Sequence, residues 1–145
     1  MQATTIANEN HIARHIKKVW IVESEGVISI IPQAFEITDN DDGYLSANWL
    51  EYFAGTRLDQ LSRIVTTTTS RTFSKSSGFA VGNIGKIKAC CEKYGHQIRV
   101  VHEHSEDCPS YAALKRFGNN LELCQELSEA HWNDLTLVSQ LHKIL

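Results

Sequence analysis

The sequence lacks a long hydrophobic run. Its apolar stretches are four residues long or shorter, whereas a membrane-spanning helix needs about 20 consecutive apolar residues. The N-terminal residues also lack the apolar block of a signal peptide. We therefore expect a cytoplasmic protein with no membrane partner. Its 145 residues, of which 42% are hydrophobic, suffice for one domain with a buried core.

Cysteines are few, and they are not arranged in the paired clusters that are typical of structural zinc sites. The chain has four of them, and two, Cys90 and Cys91, are adjacent. Neighbouring cysteines seldom bridge to each other, so we expect free thiols in a reducing compartment.

Acidic residues are absent between Asp59 and Glu92, although the formal net charge of the chain is −3. That net charge argues against nucleic acid or anionic lipid as partners. The acid-free stretch contains five basic residues, which are Arg63, Arg71, Lys75, Lys86 and Lys88. Seven acidic residues follow between Glu103 and Asp134. Either the two regions are neighbours that neutralise each other, or the basic region meets an anionic ligand.

The hydrophobic pattern predicts a small α+β domain over residues 11–145, preceded by a flexible polar tail over residues 1–10. Runs of β-branched residues at 19–22 and 27–31 predict an N-terminal β-hairpin. A short sheet with mixed pairing is expected around the apolar run at 97–102 and a second short strand at 79–81.

Helices are predicted from their capping residues and from apolar spacing. Ser46 is the candidate N-cap of a short helix, and Thr56 with Asp59 resembles a capping box at the start of another. A proline suits the first turn of a helix, so a further helix is expected from Pro109 to Phe117. The remaining predicted helices are one from about residue 83 to 94 and two amphipathic C-terminal ones, over about 120–131 and 133–144.

The densest group of reactive side chains follows the predicted strand at 97–102. Imidazoles two residues apart on a strand point the same way, so His102 and His104 could bind one ion, with Cys108 folding back as a third ligand. Zinc suits this set of nitrogen and sulfur ligands. Alternatively, His102 is a half-buried polar residue and His104 is exposed, or Cys108 is a nucleophile near a helix N-terminus.

A carboxylate and a glycine-rich turn are the other candidate sites. Glu51 follows Trp49 and Leu50, where loss of solvent would raise its pKa and favour general acid or base catalysis; the alternative is a solvated carboxylate. Glycines around a turn from a strand to a helix let backbone N–H groups approach an anion, which makes Gly82, Gly85 and Lys86 candidates. These glycines could instead serve tight turns and close packing.

Three segments, 44–51, 77–85 and 100–111, together resemble a group of small bacterial proteins with a predicted Cys-Glu-His-His quartet. The resemblance implies hydrolase-like activity and genes beside those for ubiquitin-activating-like enzymes and ubiquitin-like proteins. Glu51 matches the Glu of that group and His102 matches its first His. The Cys falls near Ser46 or Ala47 and the second His near Tyr111, so the chain departs from the pattern at both positions.

Two functions follow from these observations. One is a non-catalytic accessory protein that binds another protein, such as a ubiquitin-like or ubiquitin-activating-like partner in a conjugation or defence system. The alternative is a small hydrolase, metal-dependent with zinc or based on Glu51 and His102, whose site also contains His104 and Cys108. The residues expected at the edge of that site are Ser46, Asn48, Ser110 and Tyr111.

Overall fold

The computed structural model describes residues 4–37 and 43–141, and it confirms a single α+β domain. The strands are β1 (Thr4–Thr5), β2 (His11–Ile16), β3 (Ile21–Ser24), β4 (Val27–Ile30), β5 (Leu45–Trp49), β6 (Gly78–Asn83), β7 (Arg99–His102), β8 (Tyr111–Lys115) and β9 (Asp134–Leu137). The helices are α1 (Arg57–Thr67), α2 (Ile84–Lys93) and α3 (Leu121–Glu126), which continues into a π-helical turn (Leu127–His131). Short 3-10 turns span Lys18–Trp20, Pro32–Phe35, Leu50–Tyr52 and Val138–Leu141.

Within the described residues, seven strands form one sheet in the order β1-β7-β8-β5-β2-β6-β9, and β3 and β4 form a separate hairpin. The sequence favoured mixed pairing, but each of the sheet pairings is antiparallel. The connection between β7 and β8 shows the reason. It spans only 103–110, which is too short for the crossover that a parallel neighbour requires.

The central strand β2 has apolar residues on both faces because both faces of the sheet are covered. Ile12 and Ile16 belong to one core cluster, in which α2, α3 and the π turn pack on the sheet. Ala13 belongs to the other, which α1 and the Val138–Leu141 turn cover. A strand that is buried on both sides has no clear alternation of polar and apolar residues, so β2 is not predicted from the sequence pattern.

The predicted helices at Ser46 and at 109–117 are strands β5 and β8 in the structure. In β5, Leu45 and Ala47 are buried in the core cluster of α2 and α3, and the strand pairs with β2 on one side and β8 on the other. In β8, Ala112 and Leu114 are buried in the same cluster. Apolar runs of this length suit a buried strand or a helix equally, and here the neighbouring strands decide between them.

The helix predicted over 120–131 corresponds to α3 and the π turn, whereas the one over 133–144 is absent from the described residues. Asp134–Leu137 instead form β9, which pairs with the outer edge of β6 and is followed by the 3-10 turn Val138–Leu141. An unpaired strand edge favours pairing over an isolated helix. Residues 142–144 of that prediction lie outside the described residues.

The predicted polar tail is packed against the domain over residues 4–10. Thr4 and Thr5 pair with His102 and Val101 of β7, and Ile6 is buried. Asn8 and Asn10 accept hydrogen bonds from the backbone at the start of α2. Residues 1–3 lie outside the described residues.

Three sequence predictions are confirmed at the level of single elements. The capping box exists, because the Thr56 hydroxyl accepts from the Asp59 N–H while the Asp59 carboxylate accepts from the Thr56 N–H. Strand β7 lies within the predicted run at 97–102, and α2 begins after the N-cap Asn83.

Among residues 4–37 and 43–141, none of the helices has the length and apolar character needed to cross a membrane.

Gly82 on β6 is required by close packing. A Cβ at this position would lie 2.7 Å from the carbonyl oxygen of His131 and 2.9 Å from Cδ1 of Trp132. Both contacts come from the chain that leaves the π turn, and Trp132 is fully buried there, with its Nε1 donating to the carbonyl of Ala80 at 2.9 Å. The glycine therefore lets this segment approach the sheet.

We expect Gly82→Ala to lower the free energy of unfolding by about 1–3 kcal/mol, because backbone atoms cannot move aside for the added methyl group. Urea denaturation measures the change. Gly85→Ala is the matched control and should be less destabilising, since a Cβ there meets its nearest atom at 3.2 Å. Equal losses in the two variants would contradict this account.

Candidate functional site

Glu51 lies in the 3-10 turn after β5, and its carboxylate is paired with His11 at the start of β2. One carboxylate oxygen accepts from the His11 backbone N–H at 2.7 Å, and the other lies 2.7 Å from the ring Nδ1. A ring whose Nδ1 is bonded to a carboxylate is fixed in orientation with its Nε2 pointing away. Both side chains are about one-third exposed (32% and 33%), so Glu51 acts as the partner of His11.

His102 has different partners. Its Nε2 donates to the carbonyl oxygen of Pro109 at 2.8 Å. The imidazole packs against Trp49 and Tyr52, with ring centroids 5.2 and 5.1 Å apart. The resemblance implied one site that joins Glu51 and His102, but the structure gives each of them its own hydrogen-bond partner.

The predicted metal set of His102, His104 and Cys108 is not assembled. The ring of His104 is 6.2 Å from that of His102 and is exposed, and the Cys108 thiol instead donates to Oδ1 of Asn48 at 3.1 Å. The loop is held in this direction because the N–H of Thr69, after α1, donates to the carbonyl of Asp107 at 2.8 Å. Among the described residues, the potential ligand cluster lies elsewhere, at Cys90, Glu126 and His131.

The residues of the predicted anion site, Gly82, Gly85 and Lys86, instead make contacts within the protein. The Gly85 N–H donates to the carbonyl of Asn8, and the Lys86 N–H donates to the side chain of the N-cap Asn83. Gly82 is in the β ladder with Ile12. These N–H groups have partners within the fold, so the sequence prediction of an anion site there is not supported by the geometry.

A cavity of about 370 Å³ lies beside β2 and β5. Its lining comes from β2 and the turn after it, from β5, from the segment after α1, and from the loop and first residue of β8. The lining residues are Arg14, His15, Lys17, Trp20, Ser46, Ala47, Asn48, Thr68, Ser70, Arg71, Phe73, Cys108 and Tyr111. Of these described lining residues, three are arginine or lysine and none is aspartate or glutamate.

The polar floor of the cavity is formed by residues that the sequence placed at the edge of a site. Asn48 is buried, and its Oδ1 accepts from both the Cys108 thiol and the Ser110 hydroxyl. The hydroxyls of Ser46 and Tyr111 are 3.0 Å apart. Burial raises the pKa of the Tyr111 phenol, so this hydroxyl is a neutral hydrogen-bonding group. Cys108 therefore belongs to this network and not to a metal site with His102.

The cationic side chains are held in place by the fold. Arg14 is buried, and its guanidinium donates to the carbonyls of Ala34 at 2.6 Å and Ser46 at 2.8 Å. Lys17 Nζ lies 5.0 Å from the centroid of the Trp20 ring, and the Arg71 guanidinium lies 4.8 Å from that of Phe73. Cations stacked on aromatic rings are restrained in position. These contacts restrain the three cationic side chains among the described lining residues.

His15 is a second titratable group of this cavity whose pKa is shifted by its surroundings. Burial, followed by the charges of Arg71, Arg14 and Lys17, lowers its pKa from 6.5 to about 4. The ring is thus neutral near pH 7, and its Nε2 lies 2.9 Å from the Ser77 hydroxyl. Its ring also packs against Phe73, with centroids 4.9 Å apart.

The sequence identified Arg71 through the acid-free stretch but missed Arg14, His15 and Lys17. These residues precede Asn48 and Cys108 by tens of positions, and only the pairing of β2 with β5 brings them together. One signal was available, namely the arginine in the segment that forms β2. An arginine that is buried is retained only where it is hydrogen-bonded.

No family model, curated protein or solved structure matches this chain. Function therefore has to be inferred from the side chains and their geometry.

We expect the domain to lose stability as the pH falls from about 6.5 towards 4, in part because of His15. In the unfolded chain this histidine takes up a proton near pH 6.5, whereas in the folded chain its pKa is about 4. The unfolded state then binds more protons, so the free energy of unfolding falls by at most about 1.4 kcal/mol per pH unit in this window.

The measurement is urea denaturation of the wild type and of His15→Gln between pH 4 and 7. The variant cannot titrate at this position, so its stability should depend less steeply on pH. Identical slopes for the two proteins would show that His15 is not shifted in this way.

Proposed function

We propose that this protein is a non-catalytic binding protein that receives an acidic group of a partner protein in the cavity between β2, β5 and the Cys108 loop. One observation carries the proposal, namely that Arg14, Lys17 and Arg71 line the cavity and that none of its described lining residues is acidic. Cations that are fixed in a recess attract carboxylates and phosphates, because the low-dielectric walls strengthen the field.

The size and walls of the cavity favour the end of a peptide. Ligand sites usually have volumes of about 300–1,000 Å³, and this cavity of about 370 Å³ is at the small end of that range. Trp20, Phe73 and Tyr111 supply aromatic surface beside the cations. A C-terminal carboxylate on a short extended segment would place its charge near Arg71 and its neighbouring atoms against these rings.

The side chains of the cavity are also fixed before a ligand binds, which favours binding because little conformational entropy is lost. Arg14 is already fixed by two carbonyls, and Asn48 is fixed by Cys108 and Ser110. Groups that are positioned before the ligand arrives lose less conformational entropy on association.

The resemblance of residues 44–111 to proteins encoded beside ubiquitin-activating-like enzymes supports a partner of the ubiquitin-like type, in the cytoplasm of a bacterium. Such a partner would present its C-terminal carboxylate to the cavity. The replacement of the quartet Cys and second His by a serine and a tyrosine, whose hydroxyls are 3.0 Å apart, favours binding over catalysis.

One contact favours the hydrolase alternative. The His11–Glu51 pair has the arrangement of a general base with its orienting carboxylate, with 2.7 Å between Nδ1 and the carboxylate oxygen. A nucleophile is required as well, and no described contact places one against the His11 Nε2. Binding is therefore the function that the contacts support best.

The proposal is tested by calorimetric titration of a hexapeptide that ends in Gly-Gly, as the free acid and as the C-terminal amide. We expect the acid to bind and the amide to bind at least tenfold more weakly, because a hydrogen bond to a charged group contributes about 1.5–3 kcal/mol. Lys17→Gln and Arg71→Gln should each weaken binding of the acid by a similar factor.

Lys86→Gln is the matched control, since it removes a positive charge outside the cavity and should leave the affinity unchanged. Inorganic phosphate provides a second ligand. If phosphate binds and the peptide acid does not, the anion is not a peptide terminus. Equal affinities for the acid and the amide, or an unchanged affinity in Arg71→Gln, would refute the proposal.

A further inference from the structure

Cys90, Glu126 and His131 form a second cluster of reactive side chains, and none of them lines the cavity. Cys90 is on α2, Glu126 ends α3, and His131 ends the π turn. Their ligand atoms, the Cys90 Sγ, a Glu126 carboxylate oxygen and a ring nitrogen of His131, all lie within 4.8 Å of one another. The cysteine is buried, whereas the other two side chains are about one-quarter exposed, at 25% and 29%.

The π turn is what brings Glu126 and His131 together. In an α-helix, residues five positions apart point about 140° away from each other. In the π turn the Trp132 N–H donates to the Leu127 carbonyl, five residues earlier, at 2.8 Å, and residues five apart then lie on one face. A π turn is a rare and poorly favoured conformation that occurs frequently at functional sites.

Two of the three separations between these atoms match those of a tetrahedral zinc site, and the third, between Sγ of Cys90 and the His131 ring nitrogen, is within 4.8 Å. Oε2 of Glu126 is 3.4 Å from Sγ of Cys90 and 3.3 Å from Nε2 of His131. Zinc bonds of about 2.0–2.3 Å to nitrogen, oxygen and sulfur place neighbouring tetrahedral ligands about 3.3–3.5 Å apart. The distances from Oε2 to the sulfur and to the nitrogen therefore fit two edges of such a tetrahedron.

From this geometry we infer that the protein binds Zn²⁺ through the Cys90 thiolate, Oε2 of Glu126 and Nε2 of His131. A water molecule completes the tetrahedron on the exposed side. This set of sulfur, oxygen and nitrogen ligands suits zinc better than magnesium or calcium, which prefer oxygen alone. The site goes beyond the proposed binding function and differs from the metal set that the sequence indicated.

The neighbours of Glu126 act on its other oxygen. Oε1 accepts from the Lys93 ammonium and from the Tyr94 hydroxyl, both at 2.8 Å. These bonds fix the plane of the carboxylate and leave Oε2 directed towards the cysteine and the histidine. Outer contacts of this kind commonly orient metal ligands.

Metal binding changes the protonation of one ligand. Burial, followed by the hydrogen bond to Glu126, raises the pKa of the Cys90 thiol to about 12, so the free thiol is protonated near pH 7. The Zn–S bond forms as the S–H bond breaks, and the proton passes to solvent. No electrons are transferred, and Glu126 is already ionised because its contacts with Lys93 and Tyr94 lower its pKa to about 2.

The consequence of this site is structural. It would connect α2 to the chain between α3 and β9, where the His131 carbonyl packs on Gly82 and Trp132 fills the core. A metal that binds only the folded chain stabilises it, since the free energy of binding is added to that of folding.

The test uses the full chain after dialysis against EDTA, titrated with Co²⁺ and then with Zn²⁺. We expect one equivalent of Co²⁺ to produce the charge-transfer and visible bands of a tetrahedral thiolate site, and Zn²⁺ to displace it. Zn²⁺ should also raise the melting temperature. Cys90→Ser should remove the charge-transfer band and weaken Zn²⁺ binding at least 100-fold, and His131→Gln should weaken binding by 10- to 100-fold.

His131→Gln is included because its side chain is partly exposed, so that this variant folds even where Cys90→Ser does not. Cys108→Ser and His104→Gln are the matched controls, and both should retain one equivalent of Co²⁺ with the same spectrum. The inference is overturned if the wild type binds no stoichiometric Co²⁺, if binding survives both cluster variants, or if it is lost in Cys108→Ser instead.

Discussion

The burial of the Arg14 guanidinium in the central strand is the constraint on which this structure depends. A buried charge is strongly destabilising unless it is hydrogen-bonded, and Arg14 donates to carbonyls of two separate segments, Ala34 and Ser46. It thereby fixes the Pro32–Phe35 turn and β5 relative to β2. The same guanidinium supplies the field of the cavity, so one side chain couples the packing of the core to the chemistry of the site.

Strand β2 affects both the core and the cavity because it pairs with a strand on each side and contributes residues to both faces of the sheet. Its first residue, His11, fixes Glu51, and its later residues Arg14 and His15 line the cavity. Arg14, Lys17 and Arg71 are the three cationic residues among the described residues that line the cavity. Under the proposed function, a bound carboxylate would lie beside these side chains. Burial, and after it the charges of Arg71, Arg14 and Lys17, lower the pKa of His15 and keep its ring neutral near pH 7.

The parts of the fold that the sequence predicted correctly are those fixed by local contacts. The capping box of Thr56 and Asp59 joins residues three apart, and α2 starts at a side chain that caps its own first turn. Strands β5, β8 and β9 were predicted as helices because short apolar runs take their conformation from their neighbours. Leu45 and Ala47 are in a strand because β2 and β8 offer two open edges, which no local pattern reveals.

The candidate site around the cavity also depends partly on local sequence and partly on long-range contacts. Asn48, Ser110 and Tyr111 were placed at the edge of a site, and hydrogen bonds do connect Asn48 to Ser110 and Tyr111 to Ser46. The sequence put His102 at the centre because the loop after β7 is dense in polar groups, but the loop is bonded to Thr68 and Thr69 after α1, and the Cys108 thiol donates to Asn48. Long-range hydrogen bonds thus decide which residues share a site.

The cluster of Cys90, Glu126 and His131 likewise depends on the tertiary structure. Residues 90 and 126 are on different helices, and His131 joins them only because the helix widens by one residue per turn after Glu126. Residues with the spacing of Glu126 and His131 do not face each other in an α-helix, so this pairing is not predictable from the sequence. The π turn is disfavoured on its own, and the buried Trp132 that follows it, hydrogen-bonded to Ala80 and packed on Phe35, stabilises this conformation. Packing of one tryptophan therefore keeps the three ligand atoms together before any metal arrives.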